Sequence, residues 1–359
     1  MADEKKGLPD ALRYLKKEIA GAFETDEKLT GISTGSLAVD IITGIGGFPR
    51  GRLSEVFGWE ASGKTTLCMM ACANAQAEGL YPVYIDAERG VDLNLARNIG
   101  WVTDDEKKGL YLTPDSFEET VRIVERLAET GEVDIVITDS VPGMVPQSVY
   151  DGKIDETGRI GEVARLLAST LPRLTKTAEK SNTALVFINQ MRQNVDTGWK
   201  PAFQSREMKE KTFGGSALKF FSSLRLDMRI VQKGNQKVKR MDHFTGKEIE
   251  VPVSNLHEAQ CFKNKVATPY RKATFVIRFD ESKGLFGIDN QQTVIDLAVS
   301  HGIIQHKGGG NYFYEGAGGN FTVRGTDQLY DFVSGHADIA NGLLEAVTSI
   351  PEIKAALQR

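Results

Sequence analysis

A chain of 359 residues with 41% hydrophobic and 26% charged side chains has the composition of a globular protein, large enough for one big domain with an appended piece. No apolar stretch is long enough to span a bilayer, and the charged start "MADEKKG" precedes no hydrophobic segment, which argues against secretion and for a cytoplasmic protein with no membrane partner. The net charge of −4 does not announce a nucleic-acid partner, so such a partner would have to be held by local patches.

In residues 9–23, "PDALRYLKKEIAGAF", the apolar residues Leu12, Leu15, Ile19 and Phe23 recur at helical spacing, and Pro9 suits a first helical turn. One such helix cannot bury its stripe alone; it docks either on its own core or on another subunit, across the polar link "ETDEKLTG". From about Gly31 to Gly284, strand and helix patterns alternate, the mark of an α/β fold with a mostly parallel sheet covered on both faces. The strand candidates are "RLSEVFG", "PVYIDAE", "DIVITDS", "ALVFINQ", "SLRLDMRIV" and "EAQCFKNKV". Past "GLFGIDN" come a helix, "QTVIDLAVSHGII", a glycine-rich hairpin, "HKGGGNYFYEGAGGN", and one or two terminal helices, a small α+β appendix. The expected division is an arm over 1–30, a core over 31–284 and a C-terminal piece over 285–359.

Within the core, "GWEASGKTT" carries Gly58, four residues, then Gly63, Lys64 and Thr65, between a strand and a helix pattern, which is the phosphate-loop form in its required context. Its backbone N–H groups would cradle phosphates, Lys64 would reach the β/γ oxygens, and the Thr65 hydroxyl would ligate Mg²⁺. "DIVITDS" places Asp139 at a strand tip, 74 residues beyond Thr65, where an acidic residue holds the metal through water. Glu88, ending "YIDAE", has the chemistry to polarise an attacking water, whereas Asp86 reads as a structural carboxylate. Gln190 ends the next strand, where its amide can sense a γ-phosphate and report to the segment that follows. That segment, "MRQNVDTGWKPAFQSREMKEKTFGG", has no apolar periodicity. It interleaves Arg192, Lys200, Arg206, Lys209 and Lys211 with Trp199, Phe203 and Phe213, the mixture of charge and exposed rings that holds single strands. A second basic run, "RLDMRIVQKGNQKVKR" from Arg225 to Arg240, reads equally as a patch or as a solvated face. Cys68, Cys72 and Cys261 have no paired-ligand spacing and read as small core hydrophobes, and the five histidines as surface or satisfied core groups.

Taken together, "ISTGSLAVDIITGIGGFPRGRLSEVFGWEASGKTT", "YIDAERGVD", "DIVITDSV", "LVFINQMR", "FGGSALKFFSSLRLDMR" and "FKNKVATPY" resemble the bacterial RecA-type recombinases over nearly the whole chain. The resemblance implies a DNA-dependent ATPase that forms a helical filament on single-stranded DNA and exchanges strands with double-stranded DNA, using ATP and Mg²⁺. It assigns Gly58, Glu60, Ser62, Gly63, Lys64, Thr65 and Thr66 to the phosphate loop, Glu88 to catalysis, Asp139 and Ser140 to the metal side, Gln190 to γ-phosphate sensing and Asp92 to the nucleotide. Lys263 and Lys265 match lysines that reach a neighbour's ATP, and Phe220 matches an interface residue. Residues 151–161, with Ile154, Gly158, Arg159 and Gly161, match the first DNA-binding loop. The second runs from Arg192 through Trp199, Lys200, Phe203, Arg206, Lys209 and Lys211 to Gly214, Gly215 and Ser216. Residues 1–30 match the polymerising arm, and the C-terminal piece, with Lys307, the duplex-capturing domain. Four departures stand out: Leu95 where an adenine-stacking tyrosine is usual, Trp59 for a usual proline, a second DNA loop several residues longer than usual, and an end at "AALQR" without the acidic tail that restrains DNA uptake. Two rival readings share the core: a ring helicase, and an ATP-switched scaffold in which hydrolysis only times disassembly.

Overall fold

The computed structural model of the chain describes residues 29–153, 156–193, 210–241 and 245–358. An antiparallel pair, β1 (Gly31–Ile32) and β2 (Phe48–Pro49), frames helix α1 (Leu37–Thr43). Strands and helices then alternate: β3 (Leu53–Gly58), α2 (Lys64–Ala77), β4 (Pro82–Asp86), α3 (Leu93–Asn98), β5 (Leu110–Leu112), α4 (Phe117–Thr130) and β6 (Ile135–Asp139). The short α5 (Gln147–Tyr150), the long α6 (Glu156–Ser181) and β7 (Ala184–Gln193) follow. After β8 (Glu210–Thr212) and α7 (Ala217–Phe221) the chain makes four strands in succession: β9 (Leu224–Met241), β10 (Glu248–Asn264), β11 (Lys272–Asp280) and β12 (Leu285–Ile288).

One sheet runs in the order β12-β11-β10-β9-β3-β7-β6-β4-β5, with β8 added to β7. The pairings from β9 across to β5 are parallel, which explains their continuous apolar runs: Ile135, Val136 and Ile137 are each at most 1% exposed because both faces are covered. On one face lie Leu67, Cys68, Ala71 and Cys72 of α2; on the other, Val121 and Val124 of α4 with Leu167, Leu171 and Leu174 of α6. Helix α4 illustrates why such segments are helical. Ser116 accepts the Glu119 N–H at 3.2 Å, Glu119 accepts the Asp115 N–H at 2.9 Å, and Gly131 ends the helix at φ 69°. Strands β9 to β12 form the antiparallel part of this mostly parallel sheet, since the connections between them are too short for crossover helices.

β9 and β10 form a long hairpin, and it resolves the basic run from Arg225 to Arg240 in favour of a largely neutralised face. Arg225 is buried against Glu55 at 2.5 Å, while Lys237 pairs with Glu250 at 3.3 Å and Lys239 with Glu248 at 3.0 Å. Beyond the sheet, α8 (Asn290–Ser300), the three-stranded β13 (Gln305–Lys307), β14 (Asn311–Gly316) and β15 (Gly319–Arg324), and helices α9 (Thr326–Gly335), α10 (Ala337–Thr348) and α11 (Pro351–Leu357) enclose their own apolar cluster. Leu37 and Ile41 of α1 pack against it. Among the described residues no helix is long and apolar enough to cross a membrane.

Candidate functional site

The loop between β3 and α2 is shaped by backbone demands that explain its glycines. A Cβ on Gly58 would lie 2.2 Å from the Met228 carbonyl oxygen, and Gly63, at φ 87°, lies against Ile277 and the His257 ring. Lys64 opens α2 almost fully buried, and its ammonium donates to the carbonyls of Trp59 at 2.8 Å and Gly58 at 3.2 Å and to Ser62 Oγ at 3.3 Å. Burial lowers its pKa, opposed by the charges of Asp139 and Glu88.

Across the loop, Asp139 ends β6 with one carboxylate oxygen accepting from Thr65 Oγ1 at 2.8 Å and from the Tyr84 hydroxyl at 2.6 Å. Burial pushes this carboxyl up to about 6. Two hard oxygen donors, one of them anionic, thus adjoin at the start of α2, and this donor set fits Mg²⁺. Glu88 is brought beside them by the Ala87 and Glu88 N–H groups, which donate to the Asp139 carbonyl at 2.6 and 3.2 Å. Its carboxylate accepts from the Ser140 hydroxyl and, at 3.0 Å, from the Gln190 amide. Asp86 is buried and holds the turn behind, accepting from the Gly90 and Val91 N–H groups and the Tyr111 hydroxyl. Thr66 lines the same cleft, Glu60 and Trp59 are exposed on the loop, and Asp92 caps α3 by accepting from the Asn94 and Leu95 N–H groups.

The cleft over the loop has a volume of about 280 Å³ and is bounded by Leu95, Asn255, His257, Ile277, Phe279 and Gly287 as well as by residues 61–66. The β10 and β11 side of this wall was not singled out from sequence. His257, 2% exposed, sets a ring nitrogen 3.0 Å from the Ser62 carbonyl and stacks on Phe275. Alternation along "NLHEAQC" marks the face that is buried, but nothing local indicates that a phosphate loop some 195 residues earlier lies against it.

Gln190 leads directly into the segment with the basic and aromatic residues. That segment begins and ends as strand: Met191, Arg192 and Gln193 of β7 pair with Thr212, Lys211 and Glu210 of β8. Phe213, expected among exposed rings, is instead 3% exposed, with the Arg192 guanidinium 4.5 Å above its ring and its backbone bonded to Gln190 and Asn189. It belongs to the core because β8 turns back onto the sheet there. Trp199, Lys200, Phe203, Arg206 and Lys209 lie outside the described residues, as does the Lys211 side chain. Gly214 and Gly215 take φ 77° and 76° and Ser216 precedes α7. The stretch 151–161, expected as a loop, is helical from Glu156, so Gly158, Arg159 and Gly161 lie in the first turns of α6. Arg159 donates to the Pro142 carbonyl, and Ile154 lies outside the described residues.

Phe220, 66% exposed, stands at the end of α7. Lys263 donates to the carbonyls of Lys219 at 2.6 Å and Phe220 at 3.1 Å, and burial followed by the charges of Lys265 and Arg225 brings its ammonium down to about 8. These lysines are not beside their own phosphate loop. Lys263 pairs with Arg225, which is level with Glu55, while the loop begins beyond Gly58 at the other end of β3 and two strands away. Strand spacing puts the separation on the order of 15 Å. In the C-terminal piece Lys307 lies 3.9 Å over the Phe313 ring.

Residues 14–284 match the family model described as RecA N-terminal domain. The chain is 37% identical over 343 residues to Protein RecA of Leptospira meyeri, covering 94% of this chain and 80% of that protein. It is 38% identical over 338 residues to Protein RecA of Syntrophus aciditrophicus, covering 94% and 89%, and 38% identical over 315 residues to that of Chlamydia felis, covering 85% and 82%. With the phosphate loop, Glu88, Asp139 and Gln190 gathered at one end of its sheet, and with this match over most of its length, the chain belongs to the RecA family of recombinases.

Proposed function

We propose that the chain is an ATP-dependent recombinase that assembles as a helical filament on single-stranded DNA, pairs it with homologous duplex, and couples ATP hydrolysis to the process. The observation that carries this reading is the 3.0 Å hydrogen bond from Gln190 to Glu88, which joins the hydrolytic carboxylate to the strand from which residues 194–209 depart. A γ-phosphate placed near Glu88 competes for the Gln190 amide, so the strand and the segment beyond it respond to the nucleotide.

In the hydrolytic step, Glu88 accepts a proton from the attacking water, and Ser140 and Gln190 orient its carboxylate by donating to it. Lys64 leaves its carbonyl contacts for the β/γ oxygens, while the backbone N–H groups of residues 58–66 cradle the phosphates. The Thr65 hydroxyl and the Asp139 carboxylate would hold Mg²⁺, which would supply neutralisation of phosphate charge when bound. Lys263 and Lys265 reach the phosphates of a neighbouring subunit, since their own lie about 15 Å away. Phe220 is the exposed interface residue beside them. Arg192, Lys200, Arg206, Lys209 and Lys211 contact DNA phosphates, with Trp199 or Phe203 stacking on bases; Ile154, Gly158, Arg159, Gly161, Gly214, Gly215 and Ser216 complete the DNA surface. Duplex DNA meets the C-terminal piece near Lys307, and residues 1–30 dock on the adjacent core.

Two measurements on the intact protein test this: ATP hydrolysis with and without single-stranded DNA, and electron microscopy with a non-hydrolysable ATP analogue. DNA-stimulated hydrolysis and helical filaments support the proposal; hydrolysis indifferent to DNA, or closed six-fold rings, contradicts it.

A further inference from the structure

Two donors from different elements meet on one oxygen of Asp139. Thr65 Oγ1, in the first turn of α2, and the Tyr84 hydroxyl, on β4, both donate to Oδ2, at 2.8 and 2.6 Å. Among the described residues nothing donates to Oδ1. Asp139 is buried, so water does not readily replace a donor that is lost.

Tyr84 has nowhere else to place its hydroxyl. It is fully buried, and its ring packs against Trp101 at a centroid distance of 5.0 Å and Tyr111 at 6.5 Å. Parallel pairing sets Tyr84 level with Ile137, two residues before Asp139 on β6, and with Tyr111 on β5. The second phenol of the cluster makes a comparable bond, from Tyr111 to Asp86 Oδ2 at 2.9 Å. Asp86, however, also accepts from the Gly90 and Val91 N–H groups and is held without its phenol. Asp139 has no such backbone support for its carboxylate: its two donors are Thr65, which moves with the phosphate loop, and Tyr84, which belongs to the sheet. Only the bond from the sheet is independent of what the loop binds.

We propose that Tyr84 is a positioning residue for the metal side of the site: by holding Oδ2 from the sheet, it fixes the Asp139 carboxylate in the rotation that leaves Oδ1 open to a divalent cation or to water on that cation. The inference rests on the reading of Thr65 and Asp139 given above, and it adds a residue that touches neither metal nor nucleotide. The bland alternative is that a buried phenol requires an acceptor and finds one in Asp139, with no effect on the site.

The test is Mn²⁺ binding to the full chain with a non-hydrolysable ATP analogue, followed by electron paramagnetic resonance, for the native protein, Tyr84→Phe and Tyr111→Phe. Tyr84→Phe deletes one oxygen and keeps the ring in its packing. Its Kd for Mn²⁺ should rise about tenfold, as when an outer partner of a metal-holding group is removed. Its weaker, metal-free affinity for the analogue, measured in EDTA, should match that of the native protein. The Mg²⁺ concentration giving half-maximal ATP hydrolysis should rise by the same factor, with kcat at saturating Mg²⁺ little changed. Tyr111→Phe removes the matching bond to Asp86 and should leave Mn²⁺ affinity as it was. An unchanged Kd in Tyr84→Phe overturns the inference in favour of the bland alternative. A Tyr111→Phe protein that weakens Mn²⁺ as much, or a Tyr84→Phe protein that also loses the analogue in EDTA, overturns it in favour of a general loosening of the aromatic cluster. Mn²⁺ binding that is unaltered in Asp139→Ala overturns the metal-side reading itself.

Discussion

Replacing Lys265 by Ala separates a shared site from a self-contained one by the size of the loss. The lysine and its own phosphate loop are on the order of 15 Å apart, judged from the pairing of β10, β9 and β3. A unit charge at that range contributes about 0.3 kcal/mol in water and about 1 kcal/mol at an effective dielectric of 20. Removing it would then slow hydrolysis at most about sixfold if it acted only within its own chain. If it neutralises transition-state charge in the neighbour's site, the loss should be on the order of 10³-fold, as for other cations supplied in trans. The assay is steady-state ATP hydrolysis on single-stranded DNA by Lys265→Ala, by Glu88→Gln, and by an equal mixture of the two. In the mixture about a quarter of the head-to-tail boundaries join an intact Glu88 to an intact lysine, so activity should recover to about a quarter of the native value. A loss smaller than tenfold, or no recovery when co-assembly is demonstrated independently, would refute the shared site.

Lys64→Ala should abolish ATP binding measured by calorimetry, since it removes the cation facing the β/γ oxygens, whereas Glu88→Gln should bind ATP and DNA normally and hydrolyse at least about 10³-fold more slowly, leaving persistent filaments. Asp40, buried and hydrogen-bonded to Ser33 and Thr34, has its carboxyl raised by burial to about 7 from 3.8. Its folded form therefore binds the extra proton, and its contribution to stability is present at low pH and is lost as pH rises from about 4 through about 7. Relative to Asp40→Asn, the native protein should lose on the order of 3 kcal/mol between pH 4 and pH 8 in denaturant titrations, and a pH-independent difference would contradict the assignment. Alanine at Lys200, Arg206, Lys209 and Lys211 should flatten the salt dependence of single-strand binding by about 0.7 log unit per lost phosphate contact, while Trp199→Ala or Phe203→Ala should cost about 1–3 kcal/mol with the slope unchanged.

The parallel half of the sheet was legible in the sequence because buried parallel strands read as continuous apolar runs, and the phosphate loop, Glu88, Asp139 and Gln190 each end such a run. The direction of the remaining strands was not legible, because "SLRLDMRIV" and "EAQCFKNKV" look alike whichever way they run; direction is set by the short connections, not by the strands. Phe213 looked like a loop ring because polar residues precede it in sequence, yet it belongs to the buried cluster that also holds Val141, Leu167 and Leu218 of other elements. Helix α6 starts five residues before the end of the stretch that the resemblance implied as a loop, and Gly158 and Gly161, poor helix formers, lie within its first turns. His257 was invisible as a site residue because what it touches, the Ser62 carbonyl, comes from a remote part of the chain.

The central claim is that nucleotide and DNA stabilise each other's binding through Gln190, and linkage makes it measurable from both sides. Single-strand affinity is determined with a non-hydrolysable ATP analogue, with ADP and with no nucleotide, and analogue affinity is determined with and without DNA. The analogue should tighten DNA binding, DNA should tighten analogue binding by the same factor, and Gln190→Ala should remove the coupling while leaving the weaker nucleotide-independent affinity. A DNA affinity that is identical in all three nucleotide states would contradict the account.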